Sequence, residues 1–305
     1  MERDSPLPAD HGKADPLHVK LTEKTAYALG DTASCLFYST FAQFLMYFYT
    51  DVFGISAAAV GTMFLVTRLW DTINDPLMGI IADRTETRFG KFRPWLIWII
   101  LPLIITGVLT FTTPDLGMTG KLIWAYATYT LVGMAYTAIN VPYSALMGVM
   151  TSHSEERTVL SSFRFLGAFS GSLIVQGTLL WLVQFLGQGN EQRGFQLTIL
   201  LYGVVAGLLF LATFAFTKER VKPPINQESS VKQDLKDLLR NGPWLALCVI
   251  SVMTLVYVSI RNGAVVYYFK YYIGNTQLAS GFLVVGTVAS LVGVSLTKYI
   301  VRFFK

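Results

Sequence analysis

Apolar residues in this chain come in long blocks. Each has about the length a helix needs to cross a bilayer, roughly 20 residues. Eight blocks qualify, over 28–50, 57–82, 94–112, 122–148, 159–186, 195–217, 243–268 and 278–301. The pattern predicts an all-α polytopic membrane protein. The connections are short except for RTETRFGKFRPW after the second block and the stretch from Lys218 to Asn241. Within that stretch, SVKQDLKDLLRN sets Val231, Leu235, Leu238 and Leu239 at helical spacing behind Ser229 and Ser230, a candidate N-cap. It reads as an amphipathic linker helix at the membrane surface. Residues 1–25 are polar, lack the apolar core of a signal peptide and read as a disordered tail.

One block breaks the pattern. RLWDTINDPLMG puts Arg68, Asp71, Asn74 and Asp75 inside an otherwise apolar helix. A charge at the bilayer centre costs about 2.5–3.5 kcal/mol even on lenient scales, so this row needs a reason. Asp71 and Asp75, at i and i+4, share a helix face. Two bare carboxylates there repel, and either one takes a proton or a cation sits between them. Pro76 removes the hydrogen bond to the carbonyl of Thr72. That oxygen, the Thr72 hydroxyl and Asn74 are candidates to complete an oxygen shell. The competing reading is that Arg68 merely neutralises Asp71. On the fourth block Thr137 and Asn140 share a face beside Pro142, and on the fifth Arg164 must meet acids or a polar ligand. Asp31 is the remaining intramembrane acid. Tyr27, Trp70, Tyr136 and Tyr143 are candidates to stack on a sugar face, although such aromatics are more often ordinary core or interface belt, and Arg261 has no assigned role.

Composition agrees with the membrane reading: 53% of residues are hydrophobic and 14% charged, with mean hydropathy +0.49. Soluble domains carry about 25% charged residues. The net charge of +5 invites a nucleic-acid reading, which the distribution rejects. Of the 24 Lys and Arg, 18 fall in the tail, the second-to-third connection, the loop with Arg157, the long linker and the final residues, and Arg68, Arg164 and Arg261 lie in the membrane. Only Lys121, Arg193 and Lys270 fall on the opposite side. The positive-inside rule then places the N-terminus, the linker and the C-terminal end in the cytoplasm. The two cysteines, Cys35 and Cys248, lie in apolar segments, and the three histidines lie outside the helices, so neither a disulfide framework nor a zinc site is expected.

FYTDVFGISAAAVGTMFLV and YFKYYIGNTQLASGFLVVG resemble each other about 220 residues apart, with Gly54 on Gly274 and Gly61 on Gly281. The offset places Asp71 on Leu291 and Asp75 on Ser295, so the second copy lacks the acidic pair. The expected organisation is a tail over 1–25, a six-helix bundle over 26–217, a linker over 218–242 and a partial second bundle of two helices over 243–305. On that arithmetic a full second half would end at about residue 460, and the chain is expected to be truncated.

At these residues the chain resembles the glycoside–pentoside–hexuronide:cation symporters, within the major facilitator fold. The motifs are YFYTDVFGIS, RLWDTINDPLMG, DRTETRFGKFRPW, INVPYSAL and ERTVLSSFRF. The resemblance implies symport of a sugar or glycoside with Na⁺ or H⁺ by alternating access, without a cofactor. It implies cation-site roles for Asp71, Asp75 and Thr137; Asn140 stands at a further cation-site position, and the residue reading adds Asn74. It implies a substrate role for Arg164; Cys35, Asn140 and Ser144 stand at substrate positions of the family, and the residue reading adds Asp31 and Tyr136. Asp83, Arg84, Arg88, Lys91 and Arg93 match a cytoplasmic gating loop. The chain departs from the melibiose-carrier pattern: Cys35 and Asn140 each replace an aspartate, and Ser144 replaces a tryptophan. Asp31, one turn before Cys35, is the candidate replacement carboxylate, and the neutral Asn140 leaves H⁺ open beside Na⁺. The expected partners are a sugar, a monovalent cation and the bilayer of the inner (plasma) membrane, with the chain a monomer. A facilitator or exporter of another polar or lipid-like solute is the alternative. An intramembrane aspartyl protease is disfavoured, because its two aspartates come from separate helices and here they share one.

Overall fold

The computed structural model describes residues 19–221 and 240–303, with side chains to residue 292. The described residues are helical with connecting turns, and their one β-pairing is an isolated bridge between Thr87 and Gly90. The helices are α1 (Leu21–Tyr47), α2 (Ala57–Asp83), α3 (Trp95–Trp98), α4 (Ile100–Thr110), α5 (Met118–Met150), α6 (Ser154–Gly187), α7 (Glu191–Phe216), α8 (Gly242–Tyr267) and α9 (Leu278–Phe303). The third apolar block is thus split at Ile99. Pro102 has no N–H to offer the carbonyl of Trp98, four residues back, and the helix yields there.

Helices α5, α6 and α7 start several residues before their apolar blocks. Glu155, Glu156 and Glu191 occupy first turns, where a carboxylate favours the helix N-terminus. Residues 21–25, assigned to the tail by polarity, form the first turn of α1. The Glu23 carboxylate accepts from the Lys20 N–H at 3.3 Å and anchors that turn. Asn190 and Asn241 cap α7 and α8. The linker helix expected over 229–241 lies outside the described residues except at its last two positions, 240 and 241, and residues 1–18 of the tail lie outside them too.

Four helical segments are long and apolar enough to cross a membrane by length and composition: Met118–Met150, Ser154–Gly187, Glu191–Phe216 and Gly242–Tyr272. Helix α2 carries Arg68, Asp71 and Asp75, which lower its apolar character.

Helix α1 is the centre of the packing, lying against α6 and α7. Small residues let α1 and α6 touch backbone to backbone. A Cβ on Gly171 would sit 2.6 Å from the carbonyl oxygen of Thr32, and one on Gly167 would strike the carbonyl of Ala28. The Thr32 hydroxyl donates to the Gly167 carbonyl at 3.0 Å across this contact.

The repeat is visible in local geometry. Helix α1 ends in a π-turn, Phe48–Val52, and α8 ends in an equivalent one, Tyr268–Tyr272. Each is followed by a glycine at positive φ, Gly54 at 83° and Gly274 at 76°. The N–H of Ile55 donates to the Tyr49 carbonyl and that of Asn275 to the Phe269 carbonyl, both at 2.9 Å.

The end of the bundle where the chain enters α1, the entry end, is held by charge. The Glu219 carboxylate accepts the N–H groups of Lys91, Phe92 and Arg93 at 2.8, 2.8 and 2.9 Å. Arg220 pairs with Glu23 at 2.7 Å, and Lys24 with Glu156 at 2.7 Å.

Replacing Gly167 by Leu should force α1 from α6 and destabilise the fold by about 1–3 kcal/mol or more. A lowered melting temperature in detergent, with a smaller loss for Gly177→Leu, where a Cβ meets only Val284 at 3.7 Å, checks this.

Candidate functional site

The largest collection of predicted site residues lines a cavity of about 650 Å³ between α1, α2, α5 and α8. Helix α2 contributes Thr67, Arg68, Trp70, Asp71 and Asp75, and α5 contributes Tyr129, Tyr136, Thr137, Asn140 and Ser144. The periodicity of α2 explains the arrangement. Val60, Met63, Thr67, Met78 and Ala82 are its buried residues, and Asp71 and Asp75 continue the same face where it borders the cavity.

The Thr137 hydroxyl donates to Asp75 Oδ1 at 2.8 Å and joins α5 to α2. Asp71 lies over the backbone of α5, its Oδ1 3.8 Å from a Cβ placed on Gly133. Arg68 approaches Asp71 at 3.5 Å, with 69% of its side chain exposed, so the pairing is loose and solvent-screened. The two aspartates and Thr137 therefore offer convergent oxygens without a tight ion pair. Thr72 and Asn74 do not line this cavity: the Thr72 hydroxyl donates to the Arg68 carbonyl, and the Asn74 amide nitrogen is buried without a partner.

Asp31 and Arg164 meet each other outside that lining. Arg164 Nε donates to Asp31 Oδ2 at 2.7 Å and Nη2 to Oδ1 at 3.1 Å, a bidentate pair. The Tyr143 hydroxyl donates to Asp31 Oδ2 at 2.7 Å and also lies 2.6 Å from the Tyr27 carbonyl. Tyr27 and Tyr143 are fully buried, their rings 4.8 Å apart, and the guanidinium lies 5.2 Å from the centre of the Tyr143 ring. These two rings pack on each other and on Arg164, so neither presents a face for stacking on a sugar. Gly30 makes room for Tyr143, since any Cβ there would strike its ring. Arg164 reaches Ser144 on the cavity wall at 3.5 Å, the edge of hydrogen-bond range. Cys35 packs against Gly171 of α6 instead of facing the cavity.

A family model described as MFS/sugar transport protein matches residues 26–304. The chain belongs to this family. Among its relatives, the inner membrane symporter YicJ of Escherichia coli (strain K12) is 41% identical over 286 residues, 94% of this chain and 62% of that protein. The isoprimeverose transporter of Lactiplantibacillus pentosus is 39% identical over 277 residues, 90% of this chain and 58% of that protein. A glucuronide carrier protein homolog of Escherichia coli (strain K12) is 33% identical over 276 residues, covering 87% and 59%. The chain spans about three-fifths of the length of these relatives. The resemblance drawn from RLWDTINDPLMG and its companion motifs is borne out, and the family consists of transporters, not enzymes.

In this sugar-transport family member the loop carrying Asp83, Arg84, Arg88, Lys91 and Arg93 is folded onto α7. Arg93 Nη2 donates to the Phe214 carbonyl at 2.5 Å and its guanidinium covers the Phe214 ring. Lys91 reaches Asp83 at 3.5 Å, Arg88 covers Phe89, and Arg84 closes α2 at the exposed surface. Glu219, the acceptor that organises Lys91–Arg93, went unnoticed in the sequence, where it is one acid in a charged stretch. Also unnoticed were Ser259 and Asn262, which line the cavity from α8. Their spacing, three apart in an apolar run, was the available signal. Arg261 drew attention instead, and its guanidinium lies over Phe282 of α9.

Arg164→Ala leaves the Asp31 carboxylate in its buried setting without its cation and should cost about 3 kcal/mol of stability. Asp31→Asn combined with Arg164→Gln should recover part of that loss, read as melting temperatures of the three purified variants.

Proposed function

We propose that the protein is a secondary active transporter that carries a sugar or glycoside together with Na⁺ or H⁺ by alternating access. The observation that carries this reading is the Thr137–Asp75 hydrogen bond beside Asp71 in the cavity. Two carboxylates on one face, in a cavity with hydroxyl and amide neighbours, form a site whose charge is satisfied by a monovalent cation or a proton. Asn140, Ser144, Tyr136 and Trp70 then face a polar solute with a ring-sized apolar side. Asp31 and Arg164 act behind Ser144, where a sugar hydroxyl can compete for the Arg164 Nη2 contact. Cys35 and Asn74 support the walls.

The described helices support a six-helix bundle over 26–217, a linker and a second bundle beginning at 243, as the π-turns repeated in α1 and α8 suggest. The positive-inside pattern supports a cytoplasmic entry end in an inner membrane. A monomer suffices for this mechanism. Isoprimeverose and glucuronides, named for the relatives, are the first sugars to try.

Asp71→Asn and Asp75→Asn should each abolish accumulation driven by a cation gradient, while counterflow of labelled sugar persists at about a tenth or more of the parental rate. Uptake in cells producing each variant, with and without Na⁺ and across external pH, reads this out. Coupling unchanged in both variants would overturn the proposal, and parental uptake indifferent to every gradient would favour a facilitator.

A further inference from the structure

We infer that Asp51, Lys270 and Tyr271 form a latch that holds the far end of the cavity shut, the end opposite the entry of α1. Lys270 Nζ lies 2.6 Å from Asp51 Oδ1, the Tyr271 hydroxyl donates to the same oxygen, and the Thr50 hydroxyl donates to Oδ2 at 2.6 Å. Tyr267 reaches the Thr50 hydroxyl at 2.7 Å. Lys270 also lies 4.8 Å from the centre of the Tyr47 ring. The Asp51 side chain is only 5% exposed, so this single buried carboxylate collects donors from two helix ends, with Lys270 and Tyr271 reaching it from the exposed side.

Position makes this a latch instead of an ordinary ion pair. Asp51 and Tyr271 are 220 residues apart and belong to matching π-turns. Tyr47 and Tyr267, another matching pair, face each other with ring centres 6.4 Å apart. Equivalent residues of two repeats touch each other only near the axis that relates them. The latch therefore sits on the interface between the two bundles, where they must part for this end of the cavity to open.

Val265 and Val266, close to the latch, are the buried residues of α8. Helix α9 meets the first bundle through buried Ala279 and Leu283 and through polar pairs: Gln277, just before the helix, donates to Gln184 at 3.0 Å and Thr287 to Gln176 at 2.7 Å. Beyond the latch lies a surface depression of about 710 Å³ lined by Asp51, Lys270, Tyr267 and Tyr271. Met46 lines both this depression and the central cavity, so the partition there is one side chain thick. Opening the latch joins the two spaces into one path.

The inference rests on the transporter reading for its purpose, and the test separates the two. A cysteine introduced as Ser259→Cys on the cavity wall is labelled with a membrane-impermeant thiol reagent in right-side-out and inside-out vesicles, against the parental protein. With the latch intact, labelling proceeds from the entry side and is slow from the far side. Asp51→Asn or Lys270→Gln should speed far-side labelling about tenfold. Lys270→Arg, and the charge swap Asp51→Lys with Lys270→Asp, should keep it slow. Far-side labelling unchanged in both neutral variants would overturn the latch, as would an equal rise from both sides, the mark of general unfolding. The face of the vesicle that shows the effect fixes the orientation independently, and sugar uptake by the same variants tests the transporter reading on its own.

Discussion

A charged side chain taken out of water must find a partner of opposite sign or a full set of hydrogen bonds, and the described fold is organised by how it meets that demand. Arg164 is answered by Asp31, Asp51 by Lys270, Arg220 by Glu23, and Glu219 by three consecutive backbone N–H groups. Each of these joins segments distant in sequence. Asp71 and Asp75 differ. Their protein contacts are one loose arginine and one threonine hydroxyl, and they face a cavity. Among these groups the acidic pair of α2 is the one that faces a cavity without a tight ion pair.

Helix α1 connects these features. One side of it is pressed against α6 through Gly167 and Gly171, which sets Asp31 opposite Arg164. Its last turn carries Asp51 to the end of α8. Another side, with Tyr38 and Phe41, lines the cavity. A change in the tilt of α1 would therefore reach the acidic cavity, the buried pair and the far-end contacts together.

The repeat accounts for the asymmetry of the site. Both copies keep the π-turn and the glycine after it, because the chain must reverse direction there and a positive φ favours glycine. The aspartates of α2 have no acidic counterparts in α9, where the equivalent positions are Leu291 and Ser295. The π-turn and its glycine occur in both segments, while the acidic pair occurs in the first alone.

Much of this was legible in the chain. Block length and composition determined an all-helical membrane protein, and the glycine-matched segments showed the repeat. The i, i+4 spacing determined that Asp71 and Asp75 share a face. These are local properties, set by 1.5 Å of rise and 100° of turn per residue. Residue partners were decided only by the tertiary structure. Arg164 reads in the sequence as meeting acids or a polar ligand, and the structure sets it against Asp31. Tyr27 and Tyr143 read as core aromatics or stacking surfaces, and the structure makes them the buried walls of that pair. Glu219 drew no notice and became the anchor of a loop more than a hundred residues away. The physical reason is common to all three: a side chain's role depends on which helix lies against it, and helix neighbours are chosen by glycine-sized contacts and long-range ion pairs that no window of sequence contains.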